Sequence, residues 1–479
     1  MPADRSAVRV DALIFGGGVA GLWLLDELRR RGVSALLLET GSLGQGQTVA
    51  SQGILHGGLK YTLQGLLTQS AAHIREMPAL WRDCLAGRRE PDLSETTVRS
   101  PCCYLWRTDG VASTLGMIGA RFGLRVAPRT IDRDDRPAVL AGCPGAVARL
   151  DEQVISPAGL IANLARRNRD RILRIAGDAT FGLAAPGQVE AVAVRNPATG
   201  VSLEIQPEIV VFTAGSGNAG LRERAGLSSD AMQLRPLHMV LARGDLPDLN
   251  GHCVDGRKTR VTITSAEGGR RKAEGGRQRS EVGDRRSEIS TTHHSPLTTH
   301  HTQLSTSEVG DRRSEISTTL HSPLTTHHTR LSTLDSQLVR IWQIGGQVSE
   351  DGVRMAPAEL IEHTRAELQA VLPGVDLSGA EWATYRVNRA EGTTRSGRKP
   401  ETIQVRREGN VVTAWPTKLV LAPKLAEVIA DGIAPQSRAD RDLIDLPDWP
   451  RPAVALPPWE QAAEWLNGDG IDSARRTVA

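Results

Sequence analysis

The sequence predicts an α/β protein built around a Rossmann-like dinucleotide-binding domain. Three observations predict it. An apolar run at 11–15 leads into Gly16-Gly17-Gly18-Val19-Ala20-Gly21, a helical stretch and a second apolar run that closes on Glu39. At 479 residues the chain exceeds one ordinary domain. Strand-like alternation, as in Arg260 to Thr264, recurs far from that first unit.

Asp11 to Phe15 is nearly all apolar, as expected of a strand buried on both faces. The glycine turn follows it directly. Gly16 permits a tight turn, Gly18 lets a pyrophosphate approach the backbone, and Gly21 lets helix and strand pack closely. A helical stretch follows the turn, Leu22 to Arg31, with Leu22, Leu24, Leu25 and Leu28 on one side. Its N-terminus offers N–H groups and a partial positive charge to phosphates. Ser34 to Leu38 is the second strand, and Glu39, roughly 20 residues beyond the turn and followed by Thr40, sits where a carboxylate accepts ribose hydroxyls.

A second match, Gly215-Ser216-Gly217-Asn218-Ala219-Gly220, follows the strand Ile209 to Phe212. Only a short helical stretch comes next, with no strand ending in an acid at the required spacing. The segment therefore reads as a strand-end turn folding back on the first cofactor, not as a nicotinamide site.

The stretch from Gly46 to Tyr61, GQTVASQGILHGGLKY, resembles the flavin-contacting loop of the D-amino-acid-oxidase-like (DAO) superfamily of FAD-dependent oxidoreductases. Its HGGLKY portion is similar to the HGGLRY of FAD-dependent glycerol-3-phosphate dehydrogenases. Asp151 to Pro157 looks like the superfamily's return to the FAD domain, and Val210 to Gly215 like its strand into an Ala-Gly turn. Gly397 to Pro400, Gly409-Asn410 and Trp415 to Pro423 look like its C-terminal flavin-binding segment. Two departures stand out. Trp415-Pro416-Thr417-Lys418 replaces a glycine-rich loop, and no separate C-terminal domain of the glycerol-3-phosphate dehydrogenase kind is expected.

The resemblance implies a discontinuous Rossmann-like FAD-binding domain at 8–85, 150–230 and 385–435. An α+β substrate domain with a mostly antiparallel sheet is expected at 86–149 and 231–384, followed by a tail at 436–479. It implies non-covalent FAD, because no cysteine lies in the C-terminal segment, and hydride transfer to flavin from a C–H bearing an amine or hydroxyl in a small, anionic substrate. A polyol phosphate dehydrogenase and an FAD-binding protein without turnover are the alternatives. Oxygen and a quinone both remain open as electron acceptor.

By the same resemblance, Gln47, Ser51, Gln52, Gly53, Val154, Ala214, Gly215, Thr417, Lys418 and Leu419 join Gly16, Gly18, Val19, Ala20, Gly21, Glu39 and Thr40 as cofactor-binding candidates. His56 is the candidate base, since an imidazole takes a hydroxyl proton near neutral pH. Lys418 is the candidate positive charge beside reduced flavin. Lys60, Tyr61, Arg386 and Arg389 are candidates for an anionic substrate. His238 is read as a core histidine ahead of a pocket residue.

Ser280 to Thr306 and Ser307 to Thr333 are near-identical tandem repeats of 27 residues, differing only at His293/Leu320 and Gln303/Arg330. They are too poor in apolar groups to offset the entropy of ordering, so disorder is expected over 268–333. Arg260 to Thr264 and Leu338 to Ile344 read as flanking strands, which makes the insert an enlarged hairpin tip. Seven of the 12 histidines lie in the repeats, where low complexity outweighs a metal reading.

The net charge of +3 is too mild for nucleic acid. Five cysteines without a C-x-x-C fit reduced thiols, and no metal site is expected. The longest apolar stretch, Ala12 to Leu25, is too short and too rich in glycine to span a bilayer. A cytoplasmic location is expected, with peripheral membrane contact left open.

Overall fold

The computed structural model describes residues 7–57, 69–108, 129–255, 258–268, 339–394, 400, 402–435, 446, 449–462, 464–468 and 470; for 69–75 it describes the backbone alone. The tandem repeats, Lys60 and Tyr61 lie outside the described residues.

Strands are numbered along the chain. The first ten are β1 (Val8–Phe15), β2 (Ala35–Glu39), β3 (Val98–Ser100), β4 (Cys103–Arg107), β5 (Arg129–Ile131), β6 (Val147–Leu150), β7 (Val154–Ile155), β8 (Ile172–Arg174), β9 (Thr180–Ala185) and β10 (Gln188–Arg195). They continue as β11 (Ser202–Phe212), β12 (Met232–Gly244), β13 (Gly251–Asp255), β14 (Lys258–Glu267), β15 (Arg340–Gly345), β16 (Glu381–Gly392), β17 (Gln404–Glu408) and β18 (Val411–Trp415).

One eight-stranded sheet runs β17-β18-β11-β1-β2-β8, with β10 and β9 branching from β11. Its centre is parallel, with β11, β1 and β2 in succession, and β18 and β8 extend it in the same sense. Helix α1 (Val19–Arg30) follows the β1 turn and buries Leu22, Leu24, Leu25 and Leu28 in one core with the helices Pro157–Arg167 and Ala422–Ala430. Phe15, Phe181 and Phe212 pack within a separate core on the other face. The apolar runs read as strands are these central ones, and two-sided burial explains why they do not alternate.

The second eight-stranded sheet runs β16-β12-β15-β14-β13-β4-β6-β5 and is antiparallel except where β13 meets β4. One face packs on the helix Pro357–Val371 through Trp106, Val240, Ile263, Trp342 and Ile344. β3 and β7 form a separate two-stranded ladder. Among the described residues, no helix is long and apolar enough to cross a membrane.

One expected boundary needs correction. The boundary at 385 falls inside β16, which pairs with β12 along its whole length, so 385–392 belong to the antiparallel sheet. The tail is docked. Leu43 exchanges backbone hydrogen bonds with Ala453 and Ala455, Trp449 donates to the Arg174 carbonyl at 2.6 Å, and Leu466 pairs with Trp382. It thus contacts both sheets by backbone bonds, which leave no periodic side-chain signature.

The strands flanking the insert are β14 and β15, and they are direct antiparallel neighbours, with Glu267 opposite Arg340 and the Gly268 N–H donating to the Val339 carbonyl at 2.7 Å. The hairpin stem is therefore complete without the chain between. Replacing 269–338 by Asn-Gly, which suits a two-residue hairpin turn, removes about five doublings of loop length at roughly 0.6 kcal/mol each. The expected result is a folded protein that keeps its flavin and gains up to about 3 kcal/mol in a denaturant titration. Insoluble or flavin-free protein would show that 269–338 contributes to the fold.

Candidate FAD site and active-site wall

The glycine turn is built by close contacts. Gly16 has φ +105°, and a Cβ there would lie 2.5 Å from Ala214 Cα. A Cβ on Gly21 would lie 2.1 Å from the Gly16 carbonyl oxygen. The Thr213 hydroxyl donates to the carbonyls of Phe15 and Gly16 at 3.0 and 3.2 Å. Ala214 therefore packs directly on the first turn.

Helix α1 starts at Gly18 with no side-chain cap and no acid in its first turn. Thr48 Oγ1 accepts from the Val19 N–H at 3.3 Å. Glu39 accepts from the Gly17 N–H at 2.7 Å and the Gly41 N–H at 2.8 Å, which fixes its carboxylate beside the turn. A cradle of tightly packed glycines, a helix N-terminus with no acid in its first turn and a fixed acid at the end of β2 fit the pyrophosphate and ribose of a dinucleotide.

The 46–57 loop reaches from this turn to the antiparallel sheet. Gly53 has φ +75°, and a Cβ there would lie 2.1 Å from the Ile155 carbonyl oxygen. Ser51 Oγ donates to the Thr48 carbonyl at 2.7 Å. Gln52 Nε2 donates to the carbonyls of Thr262 and Gln343 at 3.0 and 2.8 Å, and Gln47 Oε1 accepts from the Ala390 N–H at 2.9 Å. Gln47 and Gln52, expected at the cofactor, use these groups to tie the loop to the second sheet. Val154 is fully buried with Ile54, Cys103 and Leu150, and it supports the loop from beneath.

On the far side, Thr417 is the only non-glycine residue with positive φ among the described residues, at +60°. The Lys418 N–H donates to the Pro416 carbonyl at 2.7 Å, which closes a tight turn around it. A β-branched residue held in this region is strained, and such strain collects at ligand clamps. Thr417, Lys418 and Leu419 thus sit in a constrained turn after β18, itself two strands from β1.

The antiparallel sheet has two chemically different faces. Residues directly opposite in an antiparallel pair share a face, and alternate residues along a strand share it too. Tyr385 Oη donates to the Ala50 carbonyl at 3.0 Å and Gln343 Nε2 to the same oxygen at 2.9 Å, so their face meets the 46–57 loop. Arg389 and its cross-strand partner Arg235 lie on that face. Arg235 Nε is 3.0 Å from Glu391, whose side chain is only 1% exposed, and Arg235 Nη2 is buried with no hydrogen-bond partner. Burial, followed by the Arg235 charge, lowers the Arg389 pKa.

Arg386 is on the opposite face. Its guanidinium donates to the carbonyls of Val353 and Met355 at 2.7 and 3.2 Å. Its expected substrate role is corrected by strand parity, because residues 386 and 389 are an odd number apart. His238 faces the same way, buried with Nδ1 3.1 Å from the Gly352 carbonyl, in the manner of a core histidine.

His56 lies 3.3 Å from Glu152 through Nδ1, and the Gly57 N–H donates to the other carboxylate oxygen at 2.7 Å. His252 approaches the same oxygen as His56, at 3.9 Å. Burial alone would raise the Glu152 carboxyl, but the hydrogen bond and charge of His56, the charge of His252 and the Gly57 N–H outweigh it and hold it below its usual range. Sequence reasoning missed Glu152, His252 and Arg235. Arg235 had a signal, because it lies two residues from Leu237 and four from Met239 in an alternating strand. Glu152 and His252 had none beyond their residue type. All five cysteines are buried, and burial pushes Cys84 up to about 11 and Cys253 to about 12, so neither is a thiolate nucleophile.

A parallel nucleotide-binding sheet, a glycine cradle and an antiparallel wall facing the 46–57 loop define a flavin-dependent oxidoreductase. Residues 11–430 match the family model for the FAD-dependent oxidoreductases called DAO, and the chain belongs to that family. It is 35% identical over 466 residues to a probable FAD-dependent oxidoreductase of Pseudomonas aeruginosa, covering 95% of this chain and 99% of that protein. The crystal structure of the Pseudomonas aeruginosa protein covers 96% of this chain and 99% of its own, with a TM-score of 0.67 at 32% identity. Glycine oxidase from Geobacillus kaustophilus shares the fold, with a TM-score of 0.53 and 16% identity over 91% of this chain and 97% of that one. A 60-residue stretch, 12% of this chain and 11% of its relative, is 33% identical to one component of the anaerobic glycerol-3-phosphate dehydrogenase of Haemophilus influenzae.

Proposed function

We propose that this FAD-dependent oxidoreductase oxidises a small amino or hydroxy acid. The observation that carries the reading is the Arg235–Arg389 pair on the sheet face that meets the 46–57 loop. Each guanidinium has a carboxylate beside it, Glu391 at 3.0 Å from Arg235 and Glu350 at 3.9 Å from Arg389, and the buried Arg235 Nη2, which has no hydrogen-bond partner, offers a further donor to a substrate carboxylate.

Gly16, Gly18, Val19, Ala20 and Gly21 hold the pyrophosphate, and Glu39 with Thr40 holds the ribose. Ser51, Gly53, Ala214, Gly215, Thr417 and Leu419 border the flavin, which is bound without a covalent link. When bound, FAD accepts a hydride from the substrate carbon. His56, oriented by Glu152 through Nδ1, presents Nε2 to take the substrate's hydroxyl or ammonium proton. Lys418 places a positive charge beside the flavin.

Anaerobic mixing with panels of amino acids, hydroxy acids and phosphorylated polyols tests this reading. Bleaching of the yellow holoenzyme by an amino or hydroxy acid is the expected result. Bleaching by a phosphorylated polyol alone would sink it and favour the glycerol-3-phosphate-like alternative, and no bleaching at all would favour a protein without turnover. With the bleaching acid, Arg389→Ala and Arg235→Ala should each raise KM about 10- to 100-fold, the worth of a charge-assisted hydrogen bond. Arg386→Ala, on the other face, should leave KM unchanged.

A further inference from the structure

We propose that His56, Glu152 and His252 form a binding site for a divalent transition metal, best matched by Zn2+. Their ligand atoms are His56 Nδ1, a Glu152 oxygen and a His252 ring nitrogen, all within 4.8 Å of one another. The two edges that meet at Glu152 Oε2 measure 3.3 and 3.9 Å. Ligand atoms about 2.0–2.2 Å from a shared zinc in tetrahedral geometry lie about 3.3–3.6 Å apart, so closure needs only small side-chain shifts. Two imidazoles and one carboxylate are a borderline donor set that suits zinc, and three protein ligands leave a fourth position open.

The surroundings orient each ligand. The Gly57 N–H occupies Glu152 Oε1 at 2.7 Å, which turns Oε2 toward the centre. Thr262 Oγ1 lies 2.9 Å from His252 Nδ1, which turns Nε2 toward Glu152. Partners of this kind fix the tautomer and rotation of metal ligands. Side-chain exposure rises from 5% at Glu152 and 12% at His252 to 44% at His56, so the triad is closed beneath and open at its rim. The ligands come from three segments that the fold alone brings together: the 46–57 loop, the link between β6 and β7, and β13. A metal on Nδ1 leaves the ring proton of His56 on Nε2. Metal ligand and proton acceptor are thus alternative states of one imidazole.

The site goes beyond the proposed reaction, and its test does not depend on turnover. Chelator-treated full-length holoenzyme, dialysed against Zn2+ and then metal-free buffer, should retain one zinc per chain by elemental analysis. His252→Ala, Glu152→Gln and His56→Ala should each weaken zinc retention at least about 100-fold. His56 is partly exposed, so its variant keeps the experiment decisive should the buried ones fail to fold. Wild-type protein that retains no zinc overturns the proposal. So does zinc retained equally by wild type and the His56→Ala and His252→Ala variants, which would place it elsewhere, the repeat histidines included.

Discussion

Gly21→Ala is expected to yield a folded protein that loses much of its flavin on desalting. The added Cβ would sit 2.1 Å from the Gly16 carbonyl oxygen and 2.7 Å from Thr213 Oγ1. Neither neighbour has room to retreat. Gly16 is held at φ +105° against Ala214, and the Thr213 hydroxyl is engaged by two carbonyls of the same turn. The clash must therefore push the start of α1 away from β1, and with it the N–H groups that receive the pyrophosphate. Overpacking by one methyl costs about 1–3 kcal/mol, which lowers FAD affinity roughly 10- to 100-fold if the loss falls on binding. Gly21→Val should leave no measurable flavin. Gly374→Ala, where nothing lies within 4 Å of the new Cβ, is the control. Flavin content after desalting measures the effect, with circular dichroism to establish folding. A Gly21→Ala protein as yellow as wild type would mean that the turn is not the pyrophosphate cradle.

How much of this was legible in the sequence follows from which interactions are local. The β1–α1–β2 unit was readable to the residue at Glu39 because its glycines, helix period and apolar runs all act within 30 residues or so. The hairpin across the insert was readable because Arg260 to Thr264 alternates and Leu338 to Ile344 is a short, largely apolar run. The face of β16 was half readable. Residues three apart on a strand point to opposite sides, so Arg386 and Arg389 could not both line one site, but the sequence does not say which faces the 46–57 loop. That choice is made by Tyr385 and Gln343 on the Ala50 carbonyl, across sequence separations of about 300 residues. The bonds of Gln47 and Gln52 to the second sheet were unreadable for the same reason, since their partners lie far along the chain. The His56–Glu152–His252 triad was invisible because its spacing belongs to the fold and not to any motif.

Glu408→Ala is expected to destabilise the protein by about 1.5–3 kcal/mol, the worth of a charge-assisted hydrogen bond, because Arg222 is buried while Glu408 is 40% exposed. Arg222, on the helix that follows the Ala214 turn, is only 1% exposed. Its guanidinium donates to both Glu408 oxygens at 2.6 and 3.1 Å, to Thr413 Oγ1 at 2.9 Å and to the Ser228 carbonyl at 2.7 Å. These bonds tie that helix to β17 and β18, the strands that lead into the Thr417 turn. Without Glu408 the guanidinium keeps two neutral acceptors and no counter-charge, so both walls of the cofactor site should loosen and flavin retention fall with stability. Arg222→Met combined with Glu408→Leu removes both charges and should recover most of the loss. The hydrogen bond from Arg222 holds the Glu408 carboxyl below its ordinary value against an opposing effect of burial. A carboxyl depressed by folding contributes stability above its unfolded pKa, about 4.3, and loses it as pH falls through the folded value. Denaturant titrations from neutral pH into this acid range should therefore show a loss in wild type that is smaller in the double variant. If Glu408→Ala unfolds at the wild-type midpoint, the ion pair is not what joins the two walls.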